Sequence, residues 1–379
     1  MRVRAVAVLA ALGLLLVALP SPVASDAAPT QLTPVARVAG SGNDVAIRGN
    51  YAYLSGNSGA QIIDVTNPAA PVVKATVPCR GKDIGVFDYG GRRFITLSWQ
   101  GGTDSCPNSS GSSGIRLVDV TNPSAPVILK QVSLRFGSHT NTPYGDTGYV
   151  YNSAYDLFNP MNHHRAEIID ARDPANPHVA TEFLFPVTST SPGCHDIWPD
   201  PARNRAICSA ITETMYWDTT DPLAPLIVST IYNPLQTIHH NSAIGHGGNW
   251  LFMGDEFLGV LGPGLCAPQS QHRIPLGAVW VYDISVPLVP IPMGYWTPTA
   301  TTPTGICTTH NFNVVEGTDI VVGASYRGGS YLVDFSNPLL PVTLDIEAPA
   351  DGVAWSTYAS NGYAYAGDTS RGLDIYRLD

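Results

Sequence analysis

Residues 61–71 read QIIDVTNPAAP, and the stretch recurs along the chain. It returns as RLVDVTNPSAP (116–126), EIIDARDPANP (167–177) and MYWDTTDPLAP (215–225). Looser copies are WVYDISVPLVP (280–290) and YLVDFSNPLLP (331–341). The aligned aspartates Asp64, Asp119, Asp170, Asp218, Asp283 and Asp334 fall at intervals of roughly 50 residues, within the range of repeat architectures. In each copy the apolar run before the Asp reads as a short strand. The Asp or Asn before Pro starts a turn by bonding its side chain to nearby backbone, and Pro fixes φ while withholding a donor. The second Pro opens the next apolar run, PVVKATV at 71–77 in the first copy.

Two further strands precede each Asp. In the first unit they are DVAIRG (44–49) and YAYLSG (51–56), joined at Gly49-Asn50; the last unit repeats the second as YAYAGD (363–368). Four strands per period match a propeller blade. Helical periodicity between the strands is lacking, which disfavours a TIM barrel or a Rossmann fold. The C-terminal LDIYRLD matches the first part of the repeat and ends without an outer strand, while PVARVAG (34–40) is an orphan strand at the start. The expectation is an all-β, seven-bladed β-propeller of four-stranded blades, spanning residues 34–379 as one domain. Residues 34–39 should join the blade of residues 353–378 and close the ring, removing an exposed edge.

Composition agrees. Hydrophobic residues make up 44% and charged residues 13% of the 379, which excludes a disordered or coiled-coil chain. Thirty-six Gly and 32 Pro are heavy turn punctuation, favouring many short strands. Arg2 and Arg4, the apolar run AVAVLAALGLLLVAL and VAS at 23–25 read as an export signal over residues 1–25, cleaved after Ser25, with 26–33 as a short linker. The apolar run is shorter than the ~20 residues of a spanning helix, so no membrane insertion is expected after cleavage. The formal charge of −10 becomes two units more negative once Arg2 and Arg4 are removed. With no basic run, nucleic acid is a poor partner.

The units IIDVTNP and LVDVTNP resemble the LVIVD repeat of secreted and surface β-propellers. Later pieces are similar to the choice-of-anchor B subgroup: GCHDI (193–197), HHNSAIGHGGNWLFMGDE (239–256) and THNFNVVEGTDIVVGASYRGGSYLVD (309–334). The anchors that name that subgroup are not expected here, since the sequence reads as ending on a strand. The resemblance implies a propeller and no settled activity.

The start of the innermost strand aligns across the units as Asn43-Asp44, Lys82-Asp83, His139-Thr140, His195-Asp196, His240-Asn241, His310-Asn311 and Trp355-Ser356. Four of the ten histidines thus share one position in consecutive blades, where inner strands line the central channel. His239 should face away from that channel, since neighbours on a strand alternate. Loops after the second strand bring Asp255, Glu256, Tyr326, Arg327 and Asp368 to the same mouth. Two readings stand. Channel mouths are wet, and the imidazoles can be polar links between blades or to trapped water, with Asn241 and Asn311 as turn residues. Alternatively His139, His195, His240 and His310, with Asp255 or Glu256, hold one divalent transition metal: zinc, iron, copper or manganese. In that case Glu256 can take a proton from metal-bound water and Arg327 can hold an oxyanion, both as candidate catalytic residues. The function that follows is an exported, monomeric scaffold binding a small molecule or an extracellular protein at its top face, or else an oxidative or hydrolytic metalloenzyme.

Other signals are weaker. An even count of six cysteines in an exported chain points to disulfides, and the propeller register pairs Cys79 with Cys106, Cys194 with Cys208 and Cys266 with Cys307. The insertion at 262–277 reads as a surface loop or a lid. His163 and His164 are expected in solvent. Trp99, Tyr155 and Phe257 rim a pocket or pack between blades.

Overall fold

The computed structural model describes residues 28–101, 106–107, 113–155, 164–186, 188–256, 275–298 and 308–379. They form seven four-stranded antiparallel sheets, the blades. Blade 1 runs Val45–Arg48, Tyr51–Leu54, Ala60–Asp64 and Val72–Val77, from the innermost strand outward. Blades 2 to 6 repeat that order. Their inner strands are Ile84–Tyr89, Thr140–Pro143, Asp196–Asp200, His239–Gly245 and Phe312–Val314. In blade 7, Ala354–Ser360, Tyr363–Asp368 and Gly372–Leu378 are completed by the N-terminal strand Leu32–Ala39, which pairs antiparallel with Gly372–Leu378. The orphan strand and the missing outer strand therefore solve each other, as expected from the repeat count. Each inner strand packs on that of the next blade, and Val45–Arg48 packs on Ala354–Ser360, closing the circle. Among the described residues the helical pieces are two single 3-10 turns, and no helix is long and apolar enough to cross a membrane.

The repeat aspartates do what their local chemistry dictates. Asp64, Asp119, Asp170, Asp218, Asp283 and Asp334 each accept the backbone N–H two residues on through Oδ1. In five copies the next Asn or Asp makes a second such turn: Asn67, Asn122, Asp173, Asp221 and Asn337. Blade 5 has Val286 at that place and lacks it. These paired turns reverse the chain between the third and fourth strands.

Burial follows the blade pattern. Seven apolar clusters fill the seven interfaces between adjacent blades. Trp217, fully buried, packs between blades 3 and 4; Phe252 and Phe335 meet at 5.0 Å between blades 5 and 6. Both faces of each sheet are thus covered by neighbours, which explains apolar runs in place of strict alternation. Disulfides join Cys79 to Cys106 and Cys194 to Cys208, the first two expected pairs. The Cys266–Cys307 pair, residues 1–27, residues 262–274, His163 and Phe257 lie outside the described residues.

Candidate functional site

The channel is pinched at a waist. Above it lies a chamber of about 160 Å³ bounded by His139, His195, His240, His310, Glu256 and Lys82, with Tyr155, Tyr326 and Trp355 in its wall. The histidines reach it because they stand just before, or at the head of, four consecutive inner strands. Their rings form an arc: His139 to His195 is 4.3 Å between centroids, His195 to His240 4.0 Å and His240 to His310 4.3 Å.

Hydrogen bonds set the ring orientations. The Nδ1–H of His195 donates to the His240 carbonyl at 3.1 Å, and that of His310 donates to the Trp355 carbonyl. Each therefore keeps Nε2 as its lone-pair nitrogen. His240 is buried, and neither of its ring nitrogens has a hydrogen-bond partner. Its Nε2 lies 3.2 Å from Glu256 Oε2, and His310 Nε2 lies 3.8 Å from Glu256 Oε1. One donor atom each from His195, His240 and Glu256 come within 4.8 Å of one another. The Tyr326 hydroxyl donates to Glu256 Oε1 and fixes that carboxyl.

Burial sets the charge states. Desolvation holds His195 and His240 well below the ordinary imidazole range and pulls His310 down to about 3, so the rings are neutral. The same desolvation lifts the Glu256 carboxyl to about 7, opposed by the Tyr326 hydrogen bond and the charge of Lys82. Burial also pushes the Lys82 ammonium down.

The expected site residues part company here. His195, His240, His310 and Glu256 meet. His139 lines the chamber but faces Lys82, whose Nζ lies 3.4 Å from its Nε2, while its Nδ1–H donates to Gln100 Oε1 at 2.7 Å. Asp255 is not available as a ligand. Its Oδ1 accepts from Thr237 N, Thr237 Oγ1 and Ile238 N, and its Oδ2 from Gly277 N. Asp368 ends the second strand of blade 7 in the same way, accepting from Val353, Ser370 and Arg371 N–H groups. Both are loop anchors at one repeat position. Arg327 is exposed and donates to the Ala350 and Gly352 carbonyls, outside the chamber. His239 turns away from the channel into blade 4 and bonds Thr214 Oγ1 at 2.7 Å. His164 is half-buried, not in solvent, with its nitrogens 2.8 Å from the Ser191 and Pro186 carbonyls. Tyr155 rims the chamber, whereas Trp99 packs against the Arg116 guanidinium.

Sequence reasoning missed Lys82 and Trp355 as chamber walls. The signal was present, since both occupy the aligned histidine position in their own blades. It also missed a second ring, one residue further along: Asp44, Asp83, Thr140, Asp196, Asn241 and Asn311 line a lower chamber of about 320 Å³. Asp83, Thr140 and Asn311 border both chambers and form the waist. Burial raises the Asp44 carboxyl, lifts Asp83 well above the carboxylate range and brings Asp196 to about 7; the neighbouring Asp44 pushes Asp83 further in the same direction.

With this geometry in place, comparison with known proteins gives a match to one repeat. The family model of the LVIVD repeat matches residues 39–78. That segment is blade 1. No curated protein matches the chain. Solved structures do. The β-propeller domain of Cps50 (Swd1) from Myceliophteria thermophila is 9% identical with a TM-score of 0.64, covering 92% of this chain and 100% of that one. The WD40 repeats of RRP9 are 11% identical with a TM-score of 0.61, covering 93% and 99%. At such identities the likeness is one of fold alone. The LVIVD match and the propeller fold together support a binding scaffold in general, and the two disulfides fit an extracellular protein.

Proposed function

We propose that this chain is an exported propeller, similar to the choice-of-anchor B proteins, that binds one borderline divalent metal in its upper chamber and presents it to a small ligand. The single observation that carries this is the convergence of His195, His240 and Glu256 donor atoms within 4.8 Å. Three features support it. Imidazoles kept neutral by burial are in the protonation state a metal requires. His195 and His310 donate Nδ1–H to backbone carbonyls, the outer tether of metal-binding histidines. His240 buries Nδ1 with no hydrogen-bond partner, and its Nε2 faces only the Glu256 carboxyl at 3.2 Å, a pair of donor atoms a cation would join. Mixed nitrogen and carboxylate donors favour zinc, iron, copper or manganese over calcium or magnesium. A small ligand would enter beside Lys82 and Tyr155. Catalysis by the metal is the second reading, favoured by one observation: Glu256, held near neutrality, sits at the donor cluster.

Elemental analysis of the exported protein tests the proposal. One equivalent of metal is expected in the parent protein, and none in His240→Ala or His195→Ala. Absence of stoichiometric metal from protein made in metal-replete medium would sink it. Sequencing the N-terminus of the exported protein checks cleavage after Ser25.

A further inference from the structure

The upper chamber also holds a cation that no carboxylate pairs with. Lys82 stands at the ring position that four other blades fill with histidine. Linking blade to blade there does not require a charge. Asn43 of blade 1 donates to the Gly81 carbonyl, and His195 and His310 donate to the carbonyls of His240 and Trp355. The Lys82 ammonium makes no such link. Its Nζ lies 3.4 Å from both ring nitrogens of His139 in blade 3 and 5.6 Å from the ring centroid of Trp355 in blade 7. It therefore reaches across the channel mouth. Glu256, the carboxyl of the same chamber, is engaged elsewhere: Oε1 accepts from the Tyr326 hydroxyl, and Oε2 faces His240 Nε2 at 3.2 Å. Asp83, beside Lys82 in sequence, turns its Oδ2 to Asn141 N and Nδ2. Among the described residues Lys82 forms no ion pair.

The balance of donors and acceptors is a second observation. An ammonium carries three N–H donors. His139 Nδ1–H donates to Gln100 Oε1, so only Nε2 of that ring can accept, through one lone pair. The Tyr155 hydroxyl lies 3.5 Å from the same Nε2. Lys82 and Tyr155 thus bring several donor hydrogens to an atom that takes one. The surplus is of donors, so the ligand that meets it is an acceptor. Both groups lie within 3.5 Å of one atom, close enough for one small ligand to reach the two.

Charge and size narrow the class. Imidazoles that ligate a metal are neutral. With a divalent ion at the donor cluster, Glu256 offsets only Lys82, and two positive charges remain in a poorly solvated space. Such charge calls for a negative partner. The chamber measures about 160 Å³, and a protein cavity of about 150 Å³ holds one benzene molecule, so the ligand has about six heavy atoms at most. Tyr155, stacked on His195 at 5.2 Å, and Trp355 give it aromatic walls. A planar head with two anionic oxygens and a short apolar body meets these demands.

We infer that the upper chamber binds a small carboxylate. One oxygen accepts from the Lys82 ammonium and the Tyr155 hydroxyl, and the other faces His195 and His240, where it would join a bound metal. The short alkyl body lies against Trp355. Only the second contact rests on the metal reading; Lys82 and Tyr155 hold the first with or without an ion.

Isothermal titration with propanoate tests this, on metal-loaded and on chelator-treated protein in chloride-free buffer. Propanamide, of the same shape without the charge, is the control. Saturable one-to-one binding of propanoate is expected in either form, tighter with metal, and propanamide should bind at least tenfold more weakly. Lys82→Met should weaken propanoate at least tenfold and leave metal content unchanged. Tyr155→Phe should weaken it several-fold. Metal content measured on the same samples separates the two proposals. Propanoate binding that depends on Lys82 in protein that retains no metal removes the metal reading and leaves this inference standing. Metal retained without saturable propanoate binding overturns this inference and leaves the metal reading. The inference is overturned equally by propanamide binding as tightly, by inorganic phosphate binding as tightly, or by parent affinity in Lys82→Met. If Lys82→Met does not fold, Tyr155→Phe decides, and an unchanged affinity overturns it.

Discussion

The two halves of the channel are built from adjacent residues of the same strands, yet their main side chains differ in chemistry. The upper ring presents imidazoles, a lysine and aromatic rings; the lower ring presents carboxylates, amides and hydroxyls. The upper rim is stapled by Cys79–Cys106 and Cys194–Cys208, whereas no disulfide among the described residues borders the lower chamber. A propeller gives each inner-strand position its own level along the axis. A change of one residue therefore moves a side chain from one chamber to the other, and the repeat multiplies that step around the ring.

The sharpest way to break the contrast is to remove a nitrogen donor. His195→Ala should abolish metal retention, at least a hundredfold in affinity, measured by competition with a chelator. Tyr326→Phe leaves Glu256 in place but removes the hydroxyl that orients it, and should weaken metal binding by about 10- to 100-fold without unfolding.

A neighbouring pair separates site from scaffold. Asp255→Ala loses four accepted hydrogen bonds and should destabilise the fold by about 3 kcal/mol in denaturant titration, with metal stoichiometry retained by the folded fraction. Glu256→Gln should do the reverse, weakening metal binding while leaving the stability of metal-free protein within about 1 kcal/mol of the parent. Equal behaviour of the two variants would erase the distinction drawn between anchor and ligand.

The upper staple is a comparable effect. Replacing Cys194 and Cys208 by Ala opens a loop with a sequence separation of 14, worth about 3 kcal/mol, and should loosen His195 above the waist more than Asp83 at the waist. Hydrogen exchange of the two inner strands measures this.

The last expected effect concerns pH, and it has opposite signs in the two chambers. Burial holds His310 at about 3 against an ordinary 6.5. The unfolded chain takes up that proton first, so metal-free protein loses stability as pH falls from 6.5 towards 3. Asp196 is raised from 3.8 to about 7, so the folded chain binds the proton more tightly. That contribution is complete below pH 3.8 and is lost as pH rises to 7. His310→Gln should flatten the acid-side loss, and Asp196→Asn should flatten the loss on the way to neutrality. Unfolding midpoints across pH 3–8 with chelator present would show both.

Much of the ring was legible before any coordinates. The Asp-x-x-Asn-Pro signature carries its own turn chemistry, so six copies located the blades, and the unfinished seventh called for the N-terminal strand. The shared position of His139, His195, His240 and His310 followed from aligning the units. The functional acids were less legible. Asp255 and Glu256 are neighbours of the same charge at the end of one strand, and only chain geometry shows which carboxyl meets backbone N–H groups and which meets imidazoles. Arg327 and Tyr326 are a second such pair, and the tyrosine is the one that enters the chamber.

Period, turn residues and apolar runs are local properties, so the sequence by itself determined the blade, the blade number and the residues that face the axis. Only the tertiary structure decided which of those residues meet. Depth along the channel, the rotation of each ring and the partner of each carboxyl depend on contacts between blades far apart in the chain. That is why His139 turns to Lys82, Asp255 turns to the backbone, and His195, His240 and Glu256 turn to one another.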